Sequence, residues 1–294
     1  MKILNFGSVN IDNCYRVREF VRAGETISAL EVTRHAGGKG FNQSVALARA
    51  GAQVCHAGCI GEDGIFLKNM LDAAGVDAGL LRISGVPTGN AIIQINARGE
   101  NCIILYTGAN GCVTAEYAEE VFRNFSSGDV LLIQNEISCL EYIVKRAVEK
   151  GMRIAFNPSP MNSGVSMTML EAADWLFVNQ LEAEEICGAQ GRENCLRLLG
   201  ERFPRTAVIM TLGGDGVVYR DEKQRLSHGI YPVSALDTTG AGDTFTGFFL
   251  AAVLSGGSVE YALEIASKAA AISVTRPGAA ESIPTMQEVL SFAF

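Results

Sequence analysis

Short apolar segments alternate with helix-like segments along most of the chain, and this alternation constrains the fold more than any other feature. Residues predicted as buried strands are 2–9, 53–60, 129–133, 153–156, 175–178 and 207–210, and those predicted as helices are 41–50, 65–74, 114–124, 140–149 and 259–274. Continuous apolar strands separated by helices are typical of a parallel sheet with both faces covered. We therefore expect an α/β fold with a central, mostly parallel sheet and helices on both faces.

Two stretches interrupt the alternation. Residues 13–35 lack a helical pattern and end in a strand-like segment, while 88–96 and 102–107 flank the polar turn 97–100 as in a β-hairpin. We expect segments 12–36 and 87–107 to form a small β-sheet that acts as a lid over a site. They would be inserted in one domain spanning residues 1–294, because the length suits one large α/β domain and no linker divides it.

Composition narrows the classes of function. The net charge of −8 argues against non-specific binding of nucleic acid. No apolar run approaches the roughly 18 residues of a membrane span, and the N-terminus lacks the pattern of a signal peptide. We expect a cytoplasmic protein whose eight cysteines are reduced. Cys55, His56 and Cys59 have no second pair of ligands to complete a zinc site.

A glycine-bearing turn runs directly into an apolar helix near the end of the chain. Gly240, Ala241 and Gly242 let a ligand approach the backbone closely. The free N–H groups and the dipole of the helix that follows make an anion site, which suits phosphate. Asp243 beside it suggests phosphoryl transfer, with the acid taking a proton from the attacking hydroxyl. The alternative is a tight turn in which Asp243 only stabilises the helix N-terminus.

A second glycine cluster, residues 37–40, opens an earlier helix. It is not a Walker A loop, because no Ser or Thr follows Lys39, and neither cluster fits the dinucleotide fingerprint. Lys39 is either a solvated loop residue or a residue close to a ligand.

Polar residues recur where predicted strands end. Open α/β sheets bind ligands at the carboxyl ends of their strands. Any one of these residues could be an ordinary turn or cap, but together they favour a ligand crevice. Asn10 and Asp12, after the first strand, could bind hydroxyl groups. The strand-end residues are Asp12, Glu136, Asn157, Asn179 and Thr211.

Two signatures give the chain a family resemblance. Residues 37–43 read Gly-Gly-Lys-Gly-Phe-Asn-Gln, and residues 237–245 read Asp-Thr-Thr-Gly-Ala-Gly-Asp-Thr-Phe. Their order and spacing resemble those of the ribokinase-like (phosphofructokinase B type) carbohydrate kinase family. Further similar segments extend the resemblance over almost the whole chain. They are residues 8–12, 134–136, 179–184, 211–216 and 275–282.

The resemblance implies phosphorylation of a sugar hydroxyl by ATP with Mg²⁺. By similarity, Asp243 is the catalytic base, and Gly240, Ala241 and Gly242 form the anion hole. The matching sugar-binding positions are Asn10, Asp12, Gly38, Lys39, Asn42 and Glu136. The matching nucleotide positions are Asn179, Thr211, Gly213, Gly214, Gly216 and Gly242. The matching monovalent-cation loop contains Asp237, Thr239, Ser273, Arg276, Gly278 and Ser282.

The residue types favour a neutral sugar. Asn, Asp and Glu suit hydroxyl groups, whereas an already phosphorylated substrate needs Arg or Lys. Ribose is the first expectation; fructose, 2-keto-3-deoxygluconate and nucleosides are alternatives on the same fold. Phe41 and Asn135 depart from the family pattern near the sugar positions and bear on this choice. A protein of another class, a non-catalytic sugar sensor, could have lost its base, whereas Asp243 is intact here.

Two further expectations concern a cation and a partner. One carboxylate, Asp237, with the carbonyls of an irregular loop suits K⁺ better than a divalent ion. The alternative is that Asp237 only caps its turn or pairs with Arg276. Similar kinases pair through the lid, and Ile92, Ile95 and Ile103 offer an apolar surface for such a homodimer.

Overall fold

The computed structural model describes residues 1–293 and contains a nine-stranded central sheet. Seven neighbouring strands are parallel, and two antiparallel strands extend one edge. The expected mostly parallel sheet is therefore confirmed. In spatial order the strands are β13 (Arg225–His228), β12 (Val217–Arg220), β11 (Ala207–Thr211), β10 (Trp175–Asn179), β9 (Arg153–Asn157), β8 (Val130–Gln134), β1 (Ile3–Phe6), β4 (Val54–Ile60) and β5 (Asp77–Ile83).

Helices cover both faces of this sheet. Successive residues of a strand point to opposite faces, so Ile3 and Leu4 of β1 belong to two different hydrophobic clusters. Each cluster packs one layer of helices against the sheet, which explains why the strands are apolar on both faces. The helices are α1 (Lys39–Arg49), α2 (Ile65–Ala73), α3 (Ala115–Phe122), α4 (Leu140–Glu149), α5 (Met167–Glu171), α6 (Gln180–Cys187), α7 (Arg192–Arg202), α8 (Ala241–Leu254), α9 (Val259–Ser273) and α10 (Met286–Ser291).

A second, four-stranded sheet stands apart from the first. Its outer pairs are antiparallel and its central pair is parallel. The predicted hairpin forms, with Ile95 opposite Asn101. The spatial order is β3 (Glu31–Gly37), β2 (Asn10–Arg16), β6 (Gly89–Ile95) and β7 (Asn101–Tyr106).

The sequence prediction was wrong about the start of the chain. β1 ends at Phe6 rather than at residue 9, and the small sheet begins with β2 at Asn10, two residues before the expected segment 12–36. Three residues are enough to carry the chain from one sheet to the other. Strands β5, β12 and β13 and helix α7 were missed, because they mix polar and apolar residues and lie at the edges or surface.

Close packing of α1 against α8 brings the two glycine clusters together. A Cβ at Gly247 of α8 would lie 2.4 Å from the Cβ of Ala46 on α1, so only glycine permits this approach. The N-terminal ends of both helices consequently face one crevice at the edge of the sheet, where Asn42 and Asp243 are in contact. Within residues 1–293, no helix is long and apolar enough to cross a bilayer.

Candidate active site

Asp243 lies in the first turn of α8, and its side chain is held by two amides of α1. Its Oδ1 accepts a hydrogen bond from Nε2 of Gln43 at 2.8 Å, and its Oδ2 accepts one from Nδ2 of Asn42 at 2.9 Å. Burial raises the pKa of Asp243, while Lys39 and the two amides oppose that rise. A carboxylate with a raised pKa that is still hydrogen-bonded in its charged form is suited to accept a proton.

Two cavities meet at the N-terminus of α8. A cavity of about 250 Å³ is lined by Lys39, Asn179 and Asp243, among others. A larger cavity of about 880 Å³ has mostly apolar walls. Thr211, Thr238 and Gly242 line both cavities. A ligand in the larger cavity can therefore extend past the helix N-terminus towards Asp243.

The predicted anion hole begins at Gly240, which has a φ of 75° and caps α8. That left-handed conformation favours glycine. The N–H of Ala241 donates to the carbonyl of Thr238 at 3.3 Å. Among residues 1–293, no acceptor is found for the N–H groups of Gly240 and Gly242. Two of the three predicted amides are thus free to bind an anion in this state.

Lys39 is a residue of the cavity and not of a solvated loop. Burial alone would lower its pKa, but the negative charges of Asp243 and Glu136 outweigh burial and raise it. Lys39 therefore stays charged between two carboxylates. Glu136 in turn accepts hydrogen bonds from the hydroxyl of Ser8 and, at 2.9 Å, from the backbone N–H of Lys39.

The predicted sugar residues converge from both sheets. Asn10 accepts a hydrogen bond from Nδ2 of Asn110 at 2.7 Å. Gly38 has a φ of 89°, and a Cβ there would lie 3.1 Å from the backbone N of Asn10. Within residues 1–293 the Asp12 carboxylate accepts no hydrogen bond, and Oδ1 of Asn42 is buried without a partner. Oxygen acceptors of this kind are suited to hydroxyl groups of a ligand.

The predicted nucleotide positions divide between the two cavities. Gly213, Gly214 and Gly216 line the larger one, and Thr211 lines both. Asn179 lines the smaller one, where it caps α6 by accepting a hydrogen bond from the N–H of Glu182 at 2.9 Å. Its side-chain oxygen is thus committed to the helix, and Glu182 is placed at the cavity wall.

Asp237 joins two loops. Its carboxylate accepts hydrogen bonds from the N–H groups of Thr239 and Gly278, both at 2.9 Å. Burial acts to raise the pKa of Asp237, but these bonds outweigh it and hold the pKa below its ordinary value. Arg276 pairs instead with Glu288 at 2.7 Å, so the alternative of an Asp237–Arg276 pair is wrong. The alternative that Asp237 caps its turn is confirmed by its bond to Thr239.

The other two residues of the predicted cation loop are buried serines. Ser273 and Ser282 donate their hydroxyls to the carbonyls of Ala270 and Ala279, at 2.8 and 2.7 Å. Their oxygens remain available as acceptors. One carboxylate, hydroxyl oxygens and loop carbonyls form a donor set that fits a large monovalent cation better than a divalent one.

Sequence reasoning missed several residues at the site. Gln43 belongs to the signature at residues 37–43, but only the fold shows that it contacts Asp243. Glu182 was not predicted because it looks like an ordinary acidic residue of a helix.

The two residues that depart from the family pattern lie outside both cavities. Phe41 is 1% exposed, belongs to the hydrophobic core and lines neither cavity. Asn135 donates to the carbonyl of Pro160 at 2.6 Å.

Comparisons with known proteins identify the family of the chain. The model of the pfkB family of carbohydrate kinases matches residues 1–286. A ribokinase from Haemophilus influenzae is 37% identical over 297 residues, covering 97% of this chain and 96% of that protein. One from Bacillus subtilis is 33% identical over 288 residues, with 96% of each covered.

Solved structures of ribokinases share the fold. The ribokinase of Thermotoga maritima has a TM-score of 0.90 and 32% identity, covering 99% of this chain and 98% of that one. The ribokinase of Arabidopsis thaliana complexed with ribose and ATP has a TM-score of 0.88 and 29% identity, covering 99% of each chain. The chain therefore belongs to the pfkB family of carbohydrate kinases.

Proposed function

We propose that this protein transfers the γ-phosphoryl group of ATP to ribose, giving ribose 5-phosphate and ADP. The observation that carries the proposal is the position of Asp243, a buried carboxylate at the wall of a small polar cavity. Gly242, its neighbour, borders a larger apolar cavity that suits the base and ribose of a nucleotide. Relatives named ribokinase over nearly the full length support ribose as the acceptor.

The acceptor side favours an uncharged sugar. Asp12 and Glu136 bring negative charge, and Lys39 is already balanced by Glu136 and Asp243. The unpartnered Oδ1 of Asn42 can accept a hydrogen bond from a sugar hydroxyl while its Nδ2 stays on Asp243. Because Asn10 and Asp12 lie on β2, movement of the small sheet would change sugar binding. The small sheet therefore acts as a lid that closes over the sugar and excludes water.

The chemical step follows from the placement of these groups. The sugar hydroxyl loses its proton to Asp243 as its oxygen attacks the γ-phosphorus, and the bond to the β-phosphate oxygen breaks to release ADP. The N–H groups of Gly240 and Gly242, with Lys39, stabilise the negative charge that develops on the transferred group. Positioning and electrostatics supply most of the catalysis in such reactions.

The residues present fit Mg²⁺ carried by the nucleotide. Among residues 1–293, no cluster of three or more His, Cys, Asp or Glu side chains forms a cage for a metal. Mg²⁺ usually keeps several waters and binds through phosphates and one or two carboxylates, and when bound it neutralises phosphate charge. Glu182, which is 9% exposed and lines the smaller cavity, would supply such a carboxylate through its Oε1, since its Oε2 accepts a hydrogen bond from the N–H of Asn179.

K⁺ would act at a distance from ATP. Asp237 ties the segment before the anion hole to the loop at Gly278. A cation bound between these segments would brace Gly240–Gly242 at the position where charge develops, and small misplacements there are costly.

A substrate panel tests the proposal. ADP release is measured with ribose, 2-deoxyribose, fructose, 2-keto-3-deoxygluconate and adenosine, and ribose is expected to give the highest kcat/KM. Deoxyribose is included because a deoxyribokinase from Salmonella typhi is 27% identical over 299 residues. Preference for another acceptor would replace ribose in the proposal. Binding of sugar without ADP release from any member would favour the sugar sensor.

A further inference from the structure

A buried chain of polar side chains extends from Asp243 through the main sheet. Four of its members, Gln43, Gln134, Asn5 and Ser44, are 0% exposed, as is His56 at its far end. Burying so many polar groups is costly compared with an apolar core unless they satisfy one another. Such a network in the centre of an otherwise apolar sheet requires a reason.

The hydrogen bonds of the network have a defined direction. Asn5 Nδ2 donates to Ser44 Oγ at 2.8 Å, and Ser44 Oγ lies 2.8 Å from Nδ1 of His56. Burial lowers the pKa of His56 to about 4, so this imidazole is neutral. Asn5 Oδ1 accepts from Nε2 of Gln134 at 3.0 Å.

Gln134 determines which way the Gln43 amide points. Its Nε2 also donates to Oε1 of Gln43 at 2.6 Å. The carbonyl of Gln43 is therefore occupied, and its NH₂ group is left facing Asp243 at 2.8 Å. If the amide were reversed, its oxygen would face a carboxylate and its NH₂ would face the NH₂ of Gln134. Both contacts would be repulsive.

We infer that Gln43 is a positioning residue for the catalytic base and that Gln134 holds it in the donor orientation. The inference rests on the proposed role of Asp243. Asn42 and Gln43 each use one lone pair on a different oxygen of Asp243, leaving the others for a substrate hydroxyl. Asn42 has no partner behind its Oδ1, so among residues 1–293 only Gln43 is locked from behind.

The consequence is a base that stays ionised although it is buried. The charged groups that face Asp243 are Lys39 on α1, which favours the carboxylate, and Glu136 after β8, which opposes it; Glu182 on α6 lies across the cavity. A hydrogen bond to the charged form lowers the pKa of a carboxyl group. Without the hydrogen bond from Gln43, burial would raise the pKa of Asp243 further. Asp243 would then be protonated in a larger fraction of the enzyme at neutral pH.

The test is the pH profile of turnover in Gln43→Met, which keeps the length of the side chain but removes the donor. We expect kcat to fall by about tenfold to a hundredfold, the usual effect of losing a hydrogen bond to a charged group, with ATP affinity unchanged. The acidic limb of the kcat profile should move to higher pH by about one unit. Gln134→Met, which does not touch Asp243, should shift the limb in the same direction by less.

Val45→Ala is the matched control, because Val45 lies on the same helix, is 2% exposed and belongs to the hydrophobic core. Val45→Ala should lower the stability of the fold and leave the acidic limb of the kcat profile at the wild-type pH. An unshifted limb in both glutamine variants, with Asp243→Asn inactive, would overturn this inference alone. Full turnover in Asp243→Asn would overturn the proposed function instead. If Gln43→Met fails to fold, the Gln134→Met profile decides.

Discussion

Replacing Asp12 by alanine should weaken sugar binding without weakening the fold. The buried carboxylates of Asp129, Glu182 and Asp243 accept hydrogen bonds from the chain. The half-buried carboxylate of Asp12 accepts none within residues 1–293. It lies against Gly37, where a Cβ would come within 2.2 Å of Oδ2. Burial first, and the charge of Glu136 second, raise its pKa from 3.8 to about 6. The fold thus holds a half-buried ionised group without a hydrogen-bond donor from residues 1–293, and a sugar hydroxyl can supply that donor.

The sign of the stability effect follows from that shift. A carboxyl group whose pKa is higher in the folded state makes folding less favourable as pH rises from about 4 to 6, and the penalty is complete above pH 6. It amounts to roughly 1–3 kcal/mol at pH 7 after allowance for solvent screening. The free energy of unfolding of Asp12→Ala at pH 7 should therefore equal or exceed that of wild type, and the gain should vanish near pH 4.

Sugar binding, in contrast to stability, should become weaker in Asp12→Ala. Loss of a hydrogen bond between a charged group and a hydroxyl costs about 1.5–3 kcal/mol, or roughly tenfold to a hundredfold in Kd. Isothermal titration with ribose measures the sugar affinity. Urea unfolding at pH 7 and pH 4 measures the free energy of unfolding.

Asp129→Ala is the matched control for Asp12→Ala. Its carboxylate accepts bonds from the N–H groups of Lys2 and Ser126 at 2.7 and 3.0 Å at the start of β8, the end of the strand away from the crevice. Asp129→Ala should be less stable than wild type and keep the wild-type affinity for ribose. Unchanged ribose affinity in Asp12→Ala, or a clear loss of its stability at pH 7, would refute the reasoning.

Two other predictions concern the cation and the lid. At fixed ionic strength, turnover should be clearly higher in potassium chloride than in sodium or tetramethylammonium chloride, and Asp237→Ala should lose this difference; equal rates in all three salts with wild type would leave the loop a purely structural element. Strand β7 is an edge strand whose residues are all exposed, including Ile103 and Ile104 at 49% and 60%. Such an apolar edge invites pairing, so sedimentation at micromolar concentration should show a dimer that Ile104→Asp dissociates. A wild-type monomer would contradict the pairing of lids.

Local sequence pattern was sufficient for the centre of the fold. Strands such as β8 and β11 are apolar on both faces because helices cover both, and this leaves a continuous run that sequence reveals directly. The hairpin β6–β7 was visible because a short polar turn separates two apolar segments. Edge strands such as β5 alternate between buried and exposed positions, and that weaker signal was missed.

The site was predictable only where its residues lie in a contiguous motif. Asp243 and the glycines before it stand together in sequence, so their chemistry could be inferred. The contact of Gln43 with Asp243 spans 200 positions and depends on the packing of α1 against α8. The boundary between β1 and β2 was misplaced for a related reason, since nothing local distinguishes the end of β1 from a strand that enters a second sheet.

The most direct test of the central claim is a single-turnover measurement of phosphoryl transfer from γ-labelled ATP to ribose, comparing wild type with Asp243→Asn. Wild type should form labelled ribose 5-phosphate, and the variant should do so roughly two to four orders of magnitude more slowly, the usual effect of losing a general base. Its affinity for ATP should change little, because the anion site is formed by backbone N–H groups at the start of α8. Transfer by Asp243→Asn at close to the wild-type rate would contradict the assignment of Asp243 as the base.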